Sequence, residues 1–300
     1  MVRGNTICCV KRLLLIVLFS LSGVLYQVVG CGGQTRRDAL PVDLEAIEAS
    51  TDISGFSVVL SQVVDNRGRL IPARLAGVHD RLVAQLKRMA AYGPTATPEM
   101  YPDENSRLAY WYNARTAWSI RLAEMSLHGN ELLGREQFTR SFPLDGRIMS
   151  LNKIDSILLS LARGSGDFRI AACVPGVRAG YAPLPQKPFS RDGFQERLCE
   201  QLNRLVLDEN RFVIDVEHKR VLVPPMLWAC RDMVISKYQQ RFGRCRVNLL
   251  TAMGVYLNPR ARFRLRNALG YRIVPRQGAG RAVIQPRKLY YPGKVGKIEL

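Results

Sequence analysis

Cysteine and histidine are the residues whose types and spacing could give this 300-residue chain a chemistry. Cys173 lies in an apolar run, Arg169 to Val174, that predicts a buried strand. A cysteine attacks a substrate as a thiolate, and near neutral pH it needs a base such as an imidazole to form one. A Cys173 dyad is therefore one hypothesis, but the three imidazoles of the sequence occupy positions that are typical of solvated surface residues: His79, His128 and His218.

Asp167 and Arg169 are a second pair of candidate site residues. In a strand, side chains at positions i and i+2 face the same side. The two residues would then hold a polar ligand together or form a salt bridge with each other, and we favour the salt bridge.

The first 42 residues predict export and attachment to a membrane. Three basic residues among the first twelve precede an apolar run over 13–29, which is the pattern of a signal peptide. The run ends in Val28-Val29-Gly30-Cys31, which resembles the bacterial lipobox whose cysteine receives a lipid. We predict a signal peptide over 1–30, a lipidated Cys31, a linker to residue 42, and a location on the periplasmic or extracellular face of a membrane. An uncleaved anchor helix and cleavage with release are the alternatives, although the run is shorter than the roughly 20 apolar residues that span a bilayer.

Four cysteines would remain after this processing: Cys173, Cys199, Cys230 and Cys245. An oxidising compartment permits two disulfides among them, with three pairings, whereas the alternative is that some are buried small hydrophobic residues. The sequence has no Cys-x-x-Cys pair and no Cys and His pair with the spacing of zinc ligands. We therefore predict neither a metal nor a cofactor.

Positive charge is concentrated near the C-terminus. The formal net charge is +19, and residues 258–300 supply +10 of it, because their eleven Arg and Lys oppose only Glu299. Four arginines alternate with other residues there and form a candidate anionic-ligand patch: Arg260, Arg262, Arg264 and Arg266. Export argues against nucleic acid as the partner, while anionic lipid or an acidic envelope polymer fits that compartment. The alternative is a solvated extension with no specific partner.

Apolar periodicity predicts the elements that would position these residues. Spacings of three and four, with capping residues, predict helices over 72–91, 108–127, 153–162 and 190–208, and further helices from 226 and 247. Two apolar runs on either side of a polar turn predict a hairpin over 212–223. We expect an α+β fold that is mostly helical, with a small sheet or hairpin. The domain would cover 43–245, and a basic C-terminal extension would cover 246–300.

Several motifs, taken in order, resemble one known family. Glu104 to Ala114 contains a Leu-x-x-Trp-x-Asn-Ala sequence, and Gly146 to Asp155 resembles a Ser-Leu-x-x-Ile-Glu stretch. Asp167 to Ile170 is similar to an Asp-Pro-Arg-Ile segment, and Pro183-Leu184 and then Trp228 with Asp232 complete the order. Over about 54–235 the chain resembles the domain-of-unknown-function 547 family, as a degenerate member carried on a bacterial lipoprotein.

The departures from the family pattern affect the residues that would do chemistry. The family has a His after its Ile-Glu pair, a His after Asp-Pro-Arg-Ile and a Cys before its Pro, where this sequence has Ser156, Ala171 and Tyr181. Thr116 replaces the second Asn of the tryptophan segment. The resemblance implies a non-catalytic envelope protein that binds or scaffolds another envelope component; the alternative is a cell-envelope hydrolase or transferase with an unrecognised site.

Asn113 must satisfy its amide inside an apolar helix, and we expect it to brace a neighbouring loop.

Overall fold

The chain forms a mostly helical α+β domain with two small sheets, as the sequence predicts. The computed structural model describes residues 53–128, 136–243 and 246–277, all within the unit Asp43–Leu300. The helices are α1 (Ser54–Val63), α2 (His79–Ala91), α3 (Glu104–His128), α4 (Glu136–Thr139), α5 (Leu151–Ser165), α6 (Arg169–Ala172), α7 (Phe194–Leu207), α8 (Pro225–Ala229), α9 (Arg231–Phe242), α10 (Leu249–Gly254) and α11 (Pro259–Arg266). The strands are β1 (Phe142–Leu144), β2 (Arg147–Met149), β3 (Val213–Asp215), β4 (Arg220–Val223) and β5 (Arg272–Pro275).

The predicted signal peptide, Cys31 and the linker lie outside the described residues, and so does the tail beyond residue 277. Within the ranges that are described, no helix is both long enough and apolar enough to span a bilayer.

The long helix α3 runs through the core and is buried on several sides. Leu108 and Tyr112 are fully buried, yet the same helix also carries buried hydroxyl groups. The hydroxyls of Thr116, Ser119 and Ser126 each donate to the carbonyl four residues earlier, at 2.7, 2.6 and 2.8 Å. Because these bonds satisfy the hydroxyl donors locally, the helix can lie in an apolar environment without stranding them.

Strands β1 and β2 form a hairpin that docks on the end of α2. Its turn is Asp145-Gly146, and both residues have positive φ, 55° and 69°, which is the requirement of a type I′ turn. The Asp145 carboxylate accepts hydrogen bonds from the backbone N–H groups of Thr95 and Ala96, at 2.8 and 3.0 Å. One turn residue thus joins the hairpin to the loop that follows α2.

Most predicted helices are present, with shifted ends. Helix α5 begins as expected at Ser150, whose Oγ accepts from the backbone N–H of Lys153, and it ends at Gly166. The helix predicted over 72–91 begins only at His79, because two short 3-10 turns, Pro72–Arg74 and Ala76–Val78, precede it.

The strand predicted over Arg169 to Val174 is wrong, since this segment forms the short helix α6. A brief apolar run that is buried on all sides has no periodicity that separates a strand from a helix. The Asp167 carboxylate also accepts from the backbone N–H of Arg169 at 3.1 Å, which favours a turn at this point.

The second sheet brings part of the predicted C-terminal extension into the domain. Strands β3 and β4 form the predicted antiparallel hairpin, and β5 pairs with β4 in parallel. Leu250, Met253, Ala261 and Leu265 are buried in the same core. Residues 249–275 therefore continue the fold beyond the boundary expected at 245, where neither parallel pairing nor packing had been predicted.

Candidate functional site

Cys173 is sealed inside the core. Its side chain has no exposure, and its sulfur lies 3.7 Å from the carbonyl oxygen of Leu198. Burial raises the pKa of the Cys173 thiol well above its ordinary value, and the charge of Asp167 raises it further. A buried thiol held in its protonated form is a poor nucleophile.

The two imidazoles whose side chains are described do not serve this thiol. His79 Nδ1 lies 2.9 Å from Oε1 of the buried Glu124, and His218 Nδ1 lies 3.0 Å from Oδ2 of Asp215. His79 is therefore in hydrogen-bonding contact with a buried carboxyl group, which the sequence did not indicate. The side chain of His128 lies outside the described part of the structure.

Asp167 and Arg169 form the salt bridge that the sequence favoured. Arg169 Nη2 lies 2.7 Å from Asp167 Oδ2, and Arg169 Nε lies 2.9 Å from Oδ1. The same guanidinium donates to Gln195 Oε1 at 2.9 Å and to the sulfur of Cys199 at 2.8 Å. The pair therefore joins α6 to α7, and its hydrogen-bonding groups are occupied by the protein itself.

No disulfide joins the three cysteines that the structure describes, Cys173, Cys199 and Cys230, to one another. Cys245 lies outside the described residues. Two of the three, Cys173 and Cys230, are buried, as the alternative of small hydrophobic residues expected.

Arg115 and Asp155 form a buried ion pair that Tyr181 also contacts. Asp155 and Tyr181 are two of the positions that were compared with the family pattern. Arg115 Nε lies 2.6 Å from Oδ1 of Asp155, and the Tyr181 hydroxyl donates to Asp155 Oδ2 at 2.8 Å. The Arg115 guanidinium carbon lies 4.4 Å from the centre of the Tyr181 ring, and its Nη1 donates to the Ser119 hydroxyl. Burial acts to lower the pKa of Arg115, but Asp155 outweighs it and the net shift is upward. This arrangement leaves beside it a cavity of about 20 Å³, room for roughly one water molecule.

The three positions that differ from the pattern of the resembled family lie in different environments. Ser156 is exposed and donates to the Asn152 carbonyl, Ala171 is fully buried, and Tyr181 is held by Asp155.

Arg115 was missed by sequence reasoning, although a charged residue inside an otherwise apolar helix is itself a signal that it has a buried partner.

Asn113 braces a loop, as expected. Its Nδ2 donates to the carbonyl of Phe189 and its Oδ1 accepts from the Phe189 N–H, both at 2.8 Å. This pair of bonds fixes the entry to α7 against α3.

A second buried arginine holds the Gly- and Pro-rich loop that precedes Pro188. Arg211 has no exposure, and its Nη1 donates to the carbonyls of Arg178 and Tyr181 at 2.8 and 2.7 Å. Its Nε lies 3.0 Å from Asp208 Oδ2. Burial, opposed by Asp208, lowers the pKa of Arg211 to about 10. Arg211 therefore holds this loop in place, a role that the local sequence pattern did not predict.

The predicted patch of four arginines does not form one surface. Residues 260–266 belong to α11, where positions two apart point in widely different directions. Arg264 turns inward and donates to the carbonyls of Val206 and Phe212, and Arg262 donates to the Leu257 carbonyl. Arg260 lines one cleft, whereas Arg262 and Arg266 line another.

The cleft that contains Arg260 is a polar cavity of about 650 Å³, which we call the Arg204 cleft. Four arginines from three parts of the chain line it together with two acidic residues: Arg67, Arg69, Arg204, Arg260, Asp208 and Glu209. Arg69 is paired with Asp65 at 2.7 Å, and Asp208 is paired with Arg211. Among the described residues, no carboxylate oxygen lies within 4.0 Å of the guanidinium groups of Arg67, Arg204 or Arg260.

Arg204 is the most constrained of these three cations. It is half-buried, and Nη2 makes only a long contact of 3.4 Å with the carbonyl of Leu184. Burial lowers the pKa of Arg204, and the nearby charge of Arg197 lowers it further, while acidic residues act on it only at longer range. The turn at Gly68, with φ of 72°, runs close by, so that a Cβ there would lie 3.0 Å from Arg204 Nη2. The cleft thus presents a partly desolvated guanidinium that lacks an acidic partner within the described structure.

The second cleft is an apolar groove of about 520 Å³ beside α11. Phe263 is 69% exposed at its edge, between Arg262 and Arg266. Val255 and Leu269 also line the groove and are exposed. An exposed aromatic ring flanked by guanidinium groups is typical of surfaces that meet a polar–apolar interface.

The fold and these clefts define a small helical α+β domain in which arginines line two clefts. Within residues 53–128, 136–243 and 246–277, no group of three or more His, Cys, Asp or Glu side chains is placed to hold a metal ion. No family model, no curated protein and no solved structure matches the chain.

Proposed function

We propose that this chain is an exported lipoprotein, anchored to a membrane through Cys31, whose domain binds an anionic group of the cell envelope and catalyses no reaction. On this proposal the chain is a degenerate member of the domain-of-unknown-function 547 family. The observation that carries the binding half of the proposal is the half-buried Arg204, which has no carboxylate partner among the described residues.

Electrostatics supports an anionic ligand in the Arg204 cleft. A cation that has lost part of its hydration is costly unless an anion approaches it. With Arg69 and Asp208 already paired, Arg67, Arg204 and Arg260 outnumber the single acidic residue Glu209. An anionic group with several acceptor oxygens suits such a site, and guanidinium groups bind phosphate in a bidentate manner. We therefore infer a phosphate group, which both lipid headgroups and phosphorylated envelope polymers carry.

The environment of Cys173 and of the Asp155–Tyr181 contact supports binding rather than catalysis. Cys173 has no exposure and no described imidazole beside it, and the Asp155 and Tyr181 side chains are engaged with Arg115 or with each other. Nothing in these contacts favours the alternative of a hydrolase or transferase.

The groove beside α11 supports a membrane as the second partner. Phe263 would enter the headgroup region, while Arg262 and Arg266 would face the negative surface of an anionic bilayer. This contact would act beside the lipid anchor, whose several acyl chains already hold the chain at the bilayer.

Calorimetric titration of the full protein in detergent with glycerol phosphate tests the binding half. We expect saturable binding that weakens at least about tenfold in Arg204→Gln, the loss of one charge-assisted contact of about 1.5 to 3 kcal/mol. Arg81→Gln is the matched control, because Arg81 is exposed on α2 and does not line the cleft.

Two further titrations distinguish a lipid phosphate from other phosphates, and a phosphate ligand from a carboxylate ligand. Tighter binding of phosphatidylglycerol in mixed micelles than of glycerol phosphate would identify a lipid headgroup as the ligand. An oligogalacturonate that binds more tightly than glycerol phosphate would contradict a phosphate site, and so would equal glycerol phosphate affinities of Arg204→Gln and the unaltered chain.

A further inference from the structure

A cavity of about 360 Å³ lies between α2, α3 and the loop before α7, on residues that the proposed anion site does not use. Its walls are mainly apolar and aromatic: Met89, Met100, Tyr101, Ala109, Tyr110 and Phe189. A cavity of this size and composition is in the range of sites that enclose a small molecule. Its polar lining groups differ in whether the protein itself satisfies their hydrogen bonds.

Gln85 is the first such group. It is 6% exposed, lies on the buried face of α2 with Leu82 and Met89, and lines the cavity. Its amide forms no hydrogen bond with any other described side chain or backbone group. The amide atoms of Gln85 are not fully shut off from solvent, so their hydrogen bonds must come from whatever fills the cavity, water or a ligand.

Tyr101 is the second group. Its hydroxyl likewise makes no hydrogen bond within the described residues, although the ring packs edge-on against Tyr110 at 5.2 Å. Burial, with a smaller effect of Asp145, raises the pKa of Tyr101 to about 12, so the hydroxyl stays neutral and available as a donor.

The other polar groups around the cavity are already engaged. Asn113 is bonded to Phe189, and the Tyr110 hydroxyl donates to the Met89 carbonyl at 2.7 Å. Arg191 pairs with Asp103, and Arg88 has an interaction of its own. Asp192 also lines the cavity but is exposed, so the groups that remain in its less exposed part are an amide and a phenol, both uncharged.

We infer that this cavity binds a small uncharged polyhydroxylated molecule, a sugar unit, which Gln85 and Tyr101 hydrogen-bond while the aromatic walls pack against its apolar face. Sugar hydroxyls both donate and accept, so they satisfy an amide and a phenol together. Arg191 is paired with Asp103 and Asp192 is exposed, so the less exposed part of the cavity offers no counterion for a charged ligand. This inference does not depend on the Arg204 cleft, so either site can fail without the other.

The test compares Gln85→Leu with a matched variant of a satisfied glutamine. Gln201 is buried to a similar degree, 3% exposed, but its Nε2 donates to the Pro183 carbonyl. If Gln85 is kept for a ligand, Gln85→Leu does not lower the Tm of the ligand-free full protein, whereas Gln201→Leu lowers it. A Tm for Gln85→Leu below that of the unaltered protein would mean that Gln85 has a partner in the chain itself, and would overturn the inference.

The ligand arm uses saturation-transfer NMR on the full protein in detergent, with glucose and N-acetylglucosamine against their charged counterparts glucuronate and glucosamine. We expect a neutral sugar to bind saturably, and its affinity to fall at least about tenfold in Gln85→Leu and in Tyr101→Phe. Tyr238→Phe, on α9 and outside the cavity, leaves that affinity within about twofold of the original. The inference fails if neither neutral sugar binds, if the charged sugars bind more tightly, or if Gln85→Leu binds as well as the unaltered chain.

Discussion

Arg115 and Asp155 form an ion pair, with Nε and Oδ1 2.6 Å apart, between helices α3 and α5. Arg115 is 1% exposed and Asp155 is 8% exposed. Asp155 ends the Gly146–Asp155 stretch that resembles a family motif. Its carboxylate is bound by Arg115, so this polar motif position has a structural partner. The contribution of the pair to folding can be measured directly.

Asp155→Asn removes the negative partner of Arg115 and leaves a buried cation behind. We expect the free energy of unfolding to fall by about 3 to 5 kcal/mol, as is usual when one member of a buried pair is lost. Urea denaturation measures the change. The double variant Arg115→Met with Asp155→Leu is expected to recover most of the loss, because an apolar replacement of both partners is often neutral. A loss below about 1 kcal/mol in Asp155→Asn would contradict the pairing.

Thiol reactivity tests the claim that Cys173 does no chemistry. We expect Cys173 to resist iodoacetamide in the folded protein, because the side chain is buried and its pKa is raised. Cys230 behaves in the same way, since burial raises its pKa to about 11. Cys199 is only half-buried and should react first among these three. Peptide mass spectrometry at successive times gives the order, and labelling of Cys173 before Cys199 would contradict it.

Gly93→Ala probes the junction between α2 and the β1–β2 hairpin. A Cβ at Gly93 would lie 2.4 Å from Asp145 Oδ1 and 2.7 Å from the Tyr110 hydroxyl, both in buried side chains. We expect a loss of about 1 to 3 kcal/mol in the free energy of unfolding, as for other overpacked cores. Gly164→Ala is the control with the opposite sign, because Gly164 lies within helix α5 with open space around it, and Ala should stabilise the helix by about 0.5 to 1 kcal/mol. Equal effects of the two changes would contradict this packing.

Local patterns in the sequence were sufficient for much of the fold. Helix α5 has both its cap and its C-terminal glycine in the sequence, and the β3–β4 hairpin has two apolar runs around a polar turn. The β1–β2 hairpin was missed although its Asp145-Gly146 dipeptide is a strong turn signal. Strand β5 could not be found in this way, since a parallel partner fifty residues away leaves no mark on a short segment.

The candidate sites depended more heavily on tertiary structure. The four arginines of 260–266 look like one patch when an alternating pattern is taken as extended chain, but a helix of 3.6 residues per turn spreads them over several faces. Arg67 and Arg204 are far from Arg260 in sequence, and only the packing of the turn at Gly68 and of α11 against α7 brings them to one cleft. The lack of partners at Gln85 is likewise a property of the assembled core.

The anionic group and the membrane proposed as partners are components of the cell envelope, so the proposed function depends first on export and anchoring. Mass spectrometry of the mature protein, purified from membranes of the cells that produce it, measures this directly through the N-terminal peptide. The account predicts a chain that begins at Cys31 and carries a diacylglyceryl group on that residue. A mature chain that retains Met1, or one in which Cys31 is unmodified, would contradict it.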